Sequence, residues 1–284
     1  MTTVSARNTS YQVGLVGWLS LAQLISWGSV FYTFTLIMGP LERELGLSRV
    51  ESSLAFSLAL LAEGLMAYPV GRWIDRGHER AVMTGGSLLA GLCLFAHGWV
   101  ASKAGLYVVW VGLGFAMAAV LYSPVFAVVT RRFPHDFRRA IITMTFLGGL
   151  ASTVFIPLTA WLIADLGWRH AMMALAALHV AVCAPLHGVL LRNAPKRSAA
   201  HATPQAHQGR SLKQHMLSAP FLLIGLFVVL MMSVTVALPA HMVSLLREHG
   251  LGETWVIAIP ASIGAIQVLG RLLLFFFERH FDLH

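Results

Sequence analysis

An arginine set inside an apolar run is the first residue that asks for a chemical explanation. Arg271 follows Gly270 and precedes the stretch Leu272 to Phe277. In a spanning helix an arginine costs at least about 2.5–3.5 kcal/mol on insertion scales, unless it meets a cavity or a partner or snorkels to the interface. Its rigid fork of donors suits a carboxylate. Gln267 stands one helical turn earlier on the same face. Glu63 is the one carboxylate well inside the apolar runs of the amino-terminal part. Such an acid either carries a proton or, while protonated, hydrogen-bonds a neighbouring helix. Tyr32, Tyr122 and His241 bring polar tips to other apolar runs, where they line a cavity or pack. A second cluster sits between two runs: Asp75 lies among Arg72, Arg76 and Arg80. A carboxylate beside arginines at a helix end builds a charge network able to lock two groups of helices together, or else simply sets topology. Arg131 and Arg132, in the next loop on that side, are its expected partners.

The elements that must position these residues are membrane helices. Apolar residues make up 57% of the chain and charged residues 11%, with a mean hydropathy of +0.72. Soluble domains carry about a quarter charged residues, so this chain cannot build a water-facing surface. Runs of the length needed to cross a bilayer fall at roughly 13–38, 51–73, 81–101, 105–130, 140–164, 170–191, 218–245 and 255–277. Each is expected to be helical, because an open strand cannot satisfy its backbone in lipid. Prolines 69, 124, 157, 185, 239 and 260 interrupt these runs; such kinks are tolerated where neighbours satisfy the freed carbonyls. The first run is too long for a signal-peptide core and lacks a small-residue cleavage pattern. Of the twenty Lys and Arg residues, fifteen fall on one side of the expected topology, which places the amino terminus in the cytoplasm. The same asymmetry accounts for a pI near 10.2 without nucleic acid. Cys93 and Cys183 lie within apolar runs and read as small hydrophobes. His97, His179 and His187 read as packing residues, and small pairs such as Ser87/Gly91 and Gly148/Ser152 as close helix contacts. Residues 192–216 are polar and basic, a cytoplasmic linker between two groups of helices. The spacing of His201, His207 and His215 within it matches no closed metal site.

The loop Gly71-Arg72-Trp73-Ile74-Asp75-Arg76-Gly77-His78-Glu79-Arg80 resembles the signature of the major facilitator superfamily, a Gly, three residues, Asp-Arg and a basic cluster. Tyr122-Ser123-Pro124 leading to Arg131-Arg132-Phe133-Pro134, then Arg138-Arg139-Ala140, Gly167-Trp168-Arg169 and Gly270-Arg271, stand at corresponding places. The stretch Gly39 to Leu61 and the Arg131–Arg139 region look most like monocarboxylate porters and oxalate–formate exchangers. The signature differs in detail, since Gly77 comes one residue early and Glu79 interrupts the basic cluster. The arginine of span four and the Gly-Pro motif of span five that mark drug–proton antiporters are absent.

This resemblance implies an all-α polytopic fold of the major facilitator type and alternating access. A six-helix bundle (1–191), the linker (192–216) and the first two helices of a second bundle (217–284) are expected, so the chain looks truncated after its eighth helix. Gly71, Asp75, Arg76, Arg80, Arg131 and Arg132 become gating residues. Arg271 resembles the span-eight arginine that binds a substrate carboxylate in these porters, with Gln267 where some members carry a proton-coupling Asp. Substrate contacts are expected from Tyr32, Tyr122 and His241, and proton coupling from Glu63. The expected activity is secondary transport of a small organic anion, with a proton as co-substrate, in the cell membrane. No enzyme activity, metal, cofactor or nucleic-acid partner is expected. A drug or metabolite exporter of the same superfamily and a non-transporting membrane sensor are the alternatives.

Overall fold

The computed structural model describes residues 2–192 and 217–277; the expected linker and its histidines, apart from Arg192, lie outside the described residues. Among the described residues every regular element is a helix. Seven helical stretches are long and apolar enough to cross a bilayer: Val13–Leu45, Arg49–Asp75, Glu79–Trp99, Lys103–Arg132, Phe137–Leu190, Ala219–Glu248 and Glu253–Leu273. The fifth holds 54 residues, about 80 Å of helix against a hydrocarbon core of about 30 Å. It is broken at Gly167, whose φ of 78° and ψ of 158° are open to glycine and not to a residue with a Cβ. The stretch therefore makes two crossings, divided at Gly167, and the eight expected spans are all present. They are numbered one to eight below in chain order.

Local sequence explains the ends of these helices. Span two starts with a reciprocal cap, in which Ser48 Oγ accepts from the Glu51 amide while the Glu51 carboxylate accepts from the Ser48 amide. Span one ends at Gly46 in the left-handed conformation. Span four is interrupted at Leu121, between the helices Lys103–Val120 and Tyr122–Arg132. Pro124 has no N–H to offer the carbonyl four residues back, that of Val120. Buried Gln23 of span one supplies the missing donor, its Nε2 lying 2.6 Å from that oxygen. We expect Gln23→Leu to leave a buried carbonyl unpaired and to cost about 1–3 kcal/mol, read as a lower thermal unfolding midpoint in detergent.

Two π-helical turns interrupt the regular winding, Trp27–Tyr32 in span one and His179–Cys183 in span six. They are joined by Ser29 Oγ and His179 Nε2 at 2.8 Å. His187 Nδ1 similarly meets Ser87 Oγ at 2.9 Å, so these buried histidines tie span six to spans one and three. Spans two and four cross closely, with Gly114 against the backbone of Ala59; only small residues permit such an approach. Phe34, Phe56 and Trp110 fill the core beside this crossing, the first two stacked with ring centres 4.6 Å apart. Cys93 and Cys183 are buried free thiols, in keeping with their reading as small hydrophobes.

The loops gather on two faces. One, rich in arginine, holds residues 76–78, 133–136 and 192; the other holds 46–48, 100–102, Gly167 and 249–252. On this second face Arg169 donates to the Glu44 carboxylate at 2.7 Å and to the carbonyls of His97, Gly98 and Val100. Trp168 Nε1 binds the other Glu44 oxygen at 2.6 Å. The Gly167-Trp168-Arg169 motif thus fastens the ends of spans one, three and six.

Candidate functional site

Arg271 of span eight lies 18 residues past Glu253, about 27 Å along the helix axis and so in the half nearer the arginine-rich face. Ala261, Gly264, Val268 and Arg271, at three- and four-residue spacing, form the stripe that packs on span five. Thr153 Oγ1 donates to the Ala261 carbonyl at 2.7 Å, and Gly264 lies against the Gly149 carbonyl. Arg271 Nη1 donates to the Thr145 carbonyl. Two adjacent glycines seat the polar groups. A Cβ on Gly149 would stand 2.5 Å from Arg271 Nη1, and one on Gly148 would stand 2.6 Å from the Tyr122 hydroxyl. Gly148 and Ser152, read from sequence as packing residues, thus lie at this site. We expect Gly149→Ala to push the guanidinium from its seat and to lower solute flux at least about tenfold, the effect of roughly 1.4 kcal/mol; flux into proteoliposomes measures it.

Around Arg271 the other elements bring donors and aromatic surface. The guanidinium acts electrostatically on the hydroxyls of both Tyr32 and Tyr122. Tyr32 closes the π-helical turn of span one and faces Ser152 of span five. Trp27, in the same turn, packs on Tyr122 with ring centres 4.9 Å apart, and Tyr122 stacks on Phe126 at 5.2 Å. The π turn is what sets Trp27 and Tyr32 here together, while Ser29 between them is bonded to His179. The buried Trp27 Nε1 and Ser152 Oγ have no hydrogen-bond partner among the described residues. Among those residues no carboxylate pairs with Arg271 either. The site is therefore a guanidinium, several N–H and O–H donors and an aromatic wall, without a counter-ion among the described residues. Such a set has the donors and the apolar surface that an anion with an apolar body would need.

The remaining expected site residues are spread more widely. Gln267 is half-buried one turn from Arg271 and makes no hydrogen bond with the described residues. His241 is not in this cluster: its ring meets Phe34 at 6.3 Å near the second face. There Val243 N lies 3.4 Å from Thr35 Oγ1, and Arg49 bridges Glu42 at 2.8 Å and Glu248 at 2.9 Å. These contacts close span seven onto spans one and two. The Arg49 bridge escaped the sequence reading, because its partners stand 7 and 199 residues away. Glu63 borders a separate cavity of about 70 Å³ with Gly71, Ser123 and Pro124, between spans two and four.

The arginine-rich loop differs from expectation. Asp75 and Arg76 are exposed, and Asp75 makes no hydrogen bond or ion pair among the described residues. Arg131 and Arg132 instead meet Glu79, which is fully buried. Arg132 Nε lies 2.6 Å and Arg131 Nη1 3.5 Å from its carboxylate. Arg131 also donates to the Ile74 carbonyl at the end of span two, which accepts the Gly77 amide at 2.8 Å as well. Arg80 Nε donates to the Gly188 carbonyl at 2.7 Å. These bonds bind the ends of spans two, three, four and six, and the acid that organises them is the residue that interrupts the signature. Burial decides between the two acids: Glu79 is enclosed at the start of span three, whereas Asp75 reaches water.

No group of three or more His, Cys, Asp or Glu side chains able to hold a metal occurs among the described residues. No curated protein matches the chain. Residues 19–280 match the Major Facilitator Superfamily, which is most of the chain, and with its helical fold of membrane-crossing segments this chain belongs to that family of membrane transporters.

Proposed function

We propose that this transporter moves a small organic anion, a carboxylate, by secondary active transport with alternating access. The observation that carries the proposal is Arg271, an intramembrane guanidinium seated on Gly149, with no acidic partner among the described residues and with donors of Tyr32, Tyr122, Trp27 and Ser152 around it. Arg271 is half-buried, and a charge drawn partly out of water is costly without compensation; a carboxylate supplies it while its apolar part lies on Trp27 and Tyr122. Gln267, one turn away, is positioned to read a second polar group of the solute.

In this reading residues 1–191 act as one moving body, and residues 217–284 belong to a second, connected through 192–216. The amino terminus faces the cytoplasm and the membrane is that of the cell, as the arginine bias supports. Arg49, Glu42 and Glu248, with His241 on Phe34, hold the outer side shut. Asp75, Arg76 and Arg80 belong to the inner gate, with Gly71 in the helix leading to it. Asp75 is free to take a partner in another state, while Arg131 and Arg132 anchor the loop through Glu79. Glu63 carries the coupled proton, supported by its half-buried position beside a small cavity and by the lack of an ion-pair partner among the described residues.

The test is uptake into proteoliposomes of labelled monocarboxylates, dicarboxylates and neutral solutes of matched size. Saturable uptake of a carboxylate, absent for its amide, is the expected result. Equal uptake of the amide, or efflux of cationic drugs alone, contradicts the anion assignment and points to an exporter.

A further inference from the structure

Away from the Arg271 site, spans three and six leave an outward-facing groove between them. Its apolar part has a volume of about 340 Å³ and is lined by Leu88, Leu92 and Phe95 of span three and by Met173, Ala177 and Val180 of span six. Toward the arginine-rich face the same two helices border a second recess of about 300 Å³, lined by Arg80, Ala81, Thr84, Gly85 and Gly188. Residues 81, 84, 85, 88, 92 and 95 recur at helical spacing, so both recesses lie along one face of span three. From Thr84 to Phe95 is about 16 Å of helix, roughly half the hydrocarbon core and so the depth of one leaflet.

Chemistry changes along this line. At its arginine-rich end, Arg80 is held by one bond from Nε to the Gly188 carbonyl, and its two terminal nitrogens have no partner among the described residues. Thr84 Oγ1 is buried without a hydrogen-bond partner and faces Gly188. Arg192, four residues beyond Gly188 and just past the end of span six, is exposed. The nearest acid on span three, Glu79, is already neutralised by Arg131 and Arg132. Above this polar end the lining is wholly apolar. Gly91 lets span six come near, since a Cβ there would stand 2.7 Å from Val180.

We infer that the cleft between spans three and six is a binding site for an anionic phospholipid, its phosphate on Arg80 and Thr84 and an acyl chain along Leu88, Leu92 and Phe95. A cationic end joined to an apolar track one leaflet long matches such a lipid in both charge and length. A zwitterionic lipid fills the track equally well but gains less from Arg80. The site stands apart from the proposed anion site and does not depend on what the protein transports.

Native mass spectrometry of the full chain, released from detergent in the presence of phosphatidylglycerol and phosphatidylcholine of equal chain length, tests it. The wild type is expected to retain one phosphatidylglycerol in preference to phosphatidylcholine. Arg80→Ala should lower that preference about fivefold, the factor for roughly 1 kcal/mol per basic residue near a membrane surface. Arg80→Lys should keep most of it, which separates loss of charge from misfolding. Ala177→Trp, which fills the apolar track, should remove one bound lipid of either kind. Soluble glycerol phosphate should not displace the lipid. An unchanged preference in Arg80→Ala, an unchanged lipid count in Ala177→Trp, displacement by glycerol phosphate, or a second copy of the chain in place of lipid would each overturn the inference.

Discussion

Glu79→Gln should lower the stability of the protein by about 3–5 kcal/mol, the usual effect of removing one partner from a buried ion pair. The Glu79 carboxylate is fully buried, and Arg132 beside it is only 4% exposed. Glutamine preserves the shape but removes the negative charge that both guanidiniums bind, at a carboxylate site closed to water. A thermal unfolding curve in detergent measures the effect as a large drop in midpoint. Joining the change to Arg132→Leu should recover part of the loss, because the second substitution removes a nearly enclosed charge that has lost the Glu79 carboxylate. Asp75→Asn, by contrast, should leave the midpoint nearly unchanged, since Asp75 is exposed and unpaired among the described residues; its effect is expected on turnover. If Glu79→Gln unfolds at the wild-type temperature, the charge cluster does not hold these helix ends.

Arg271→Ala is expected to reduce anion uptake at least about 30-fold, the lower end of the 2–5 kcal/mol associated with losing one partner of a buried, hydrogen-bonded charge pair. Arg271→Lys keeps the charge but not the two-pronged geometry, and should fall between wild type and alanine. Both variants should insert and unfold like the wild type, because the stripe Ala261, Gly264 and Val268 still packs against span five. Initial rates in proteoliposomes over a range of solute concentrations separate a weaker KM from slower turnover. A carboxylate contact predicts a change chiefly in KM.

Most of the fold is legible in the chain because bilayer thickness sets a minimum apolar length, and eight runs meet it. Gly167 is legible as a break, since the polar stretch around it ends one run and begins the next. The π-helical turns are not, because residues 27–32 and 179–183 are as apolar and regularly spaced as their surroundings. What sets them apart is the Ser29–His179 bond between helices 150 residues distant in sequence. The proposed solute site is legible in part. Arg271, Tyr32 and Tyr122 stand out as polar groups in apolar runs, and they do converge. Their seats, Gly148 and Gly149, look like ordinary small-residue packing until Arg271 and Tyr122 are placed against them. His241 satisfies the same rule of polarity within an apolar run yet lies near the other face, because position along a helix axis is not encoded in residue type. Glu79 shows the opposite limit. In the chain it interrupts a basic cluster, and only burial beside Arg131 and Arg132 makes it the centre of the cluster.

In the proposed function Arg271 provides the charge for a bound carboxylate, and equilibrium binding isolates that contact from gating, on which transport also depends. Purified wild type and Arg271→Gln, matched for unfolding midpoint, should be titrated with a labelled carboxylate that the wild type takes up. Saturable binding is expected in the wild type, weakened at least about 30-fold by Arg271→Gln, with the corresponding amide bound poorly by both. Equal affinity of the two proteins for the carboxylate would contradict it.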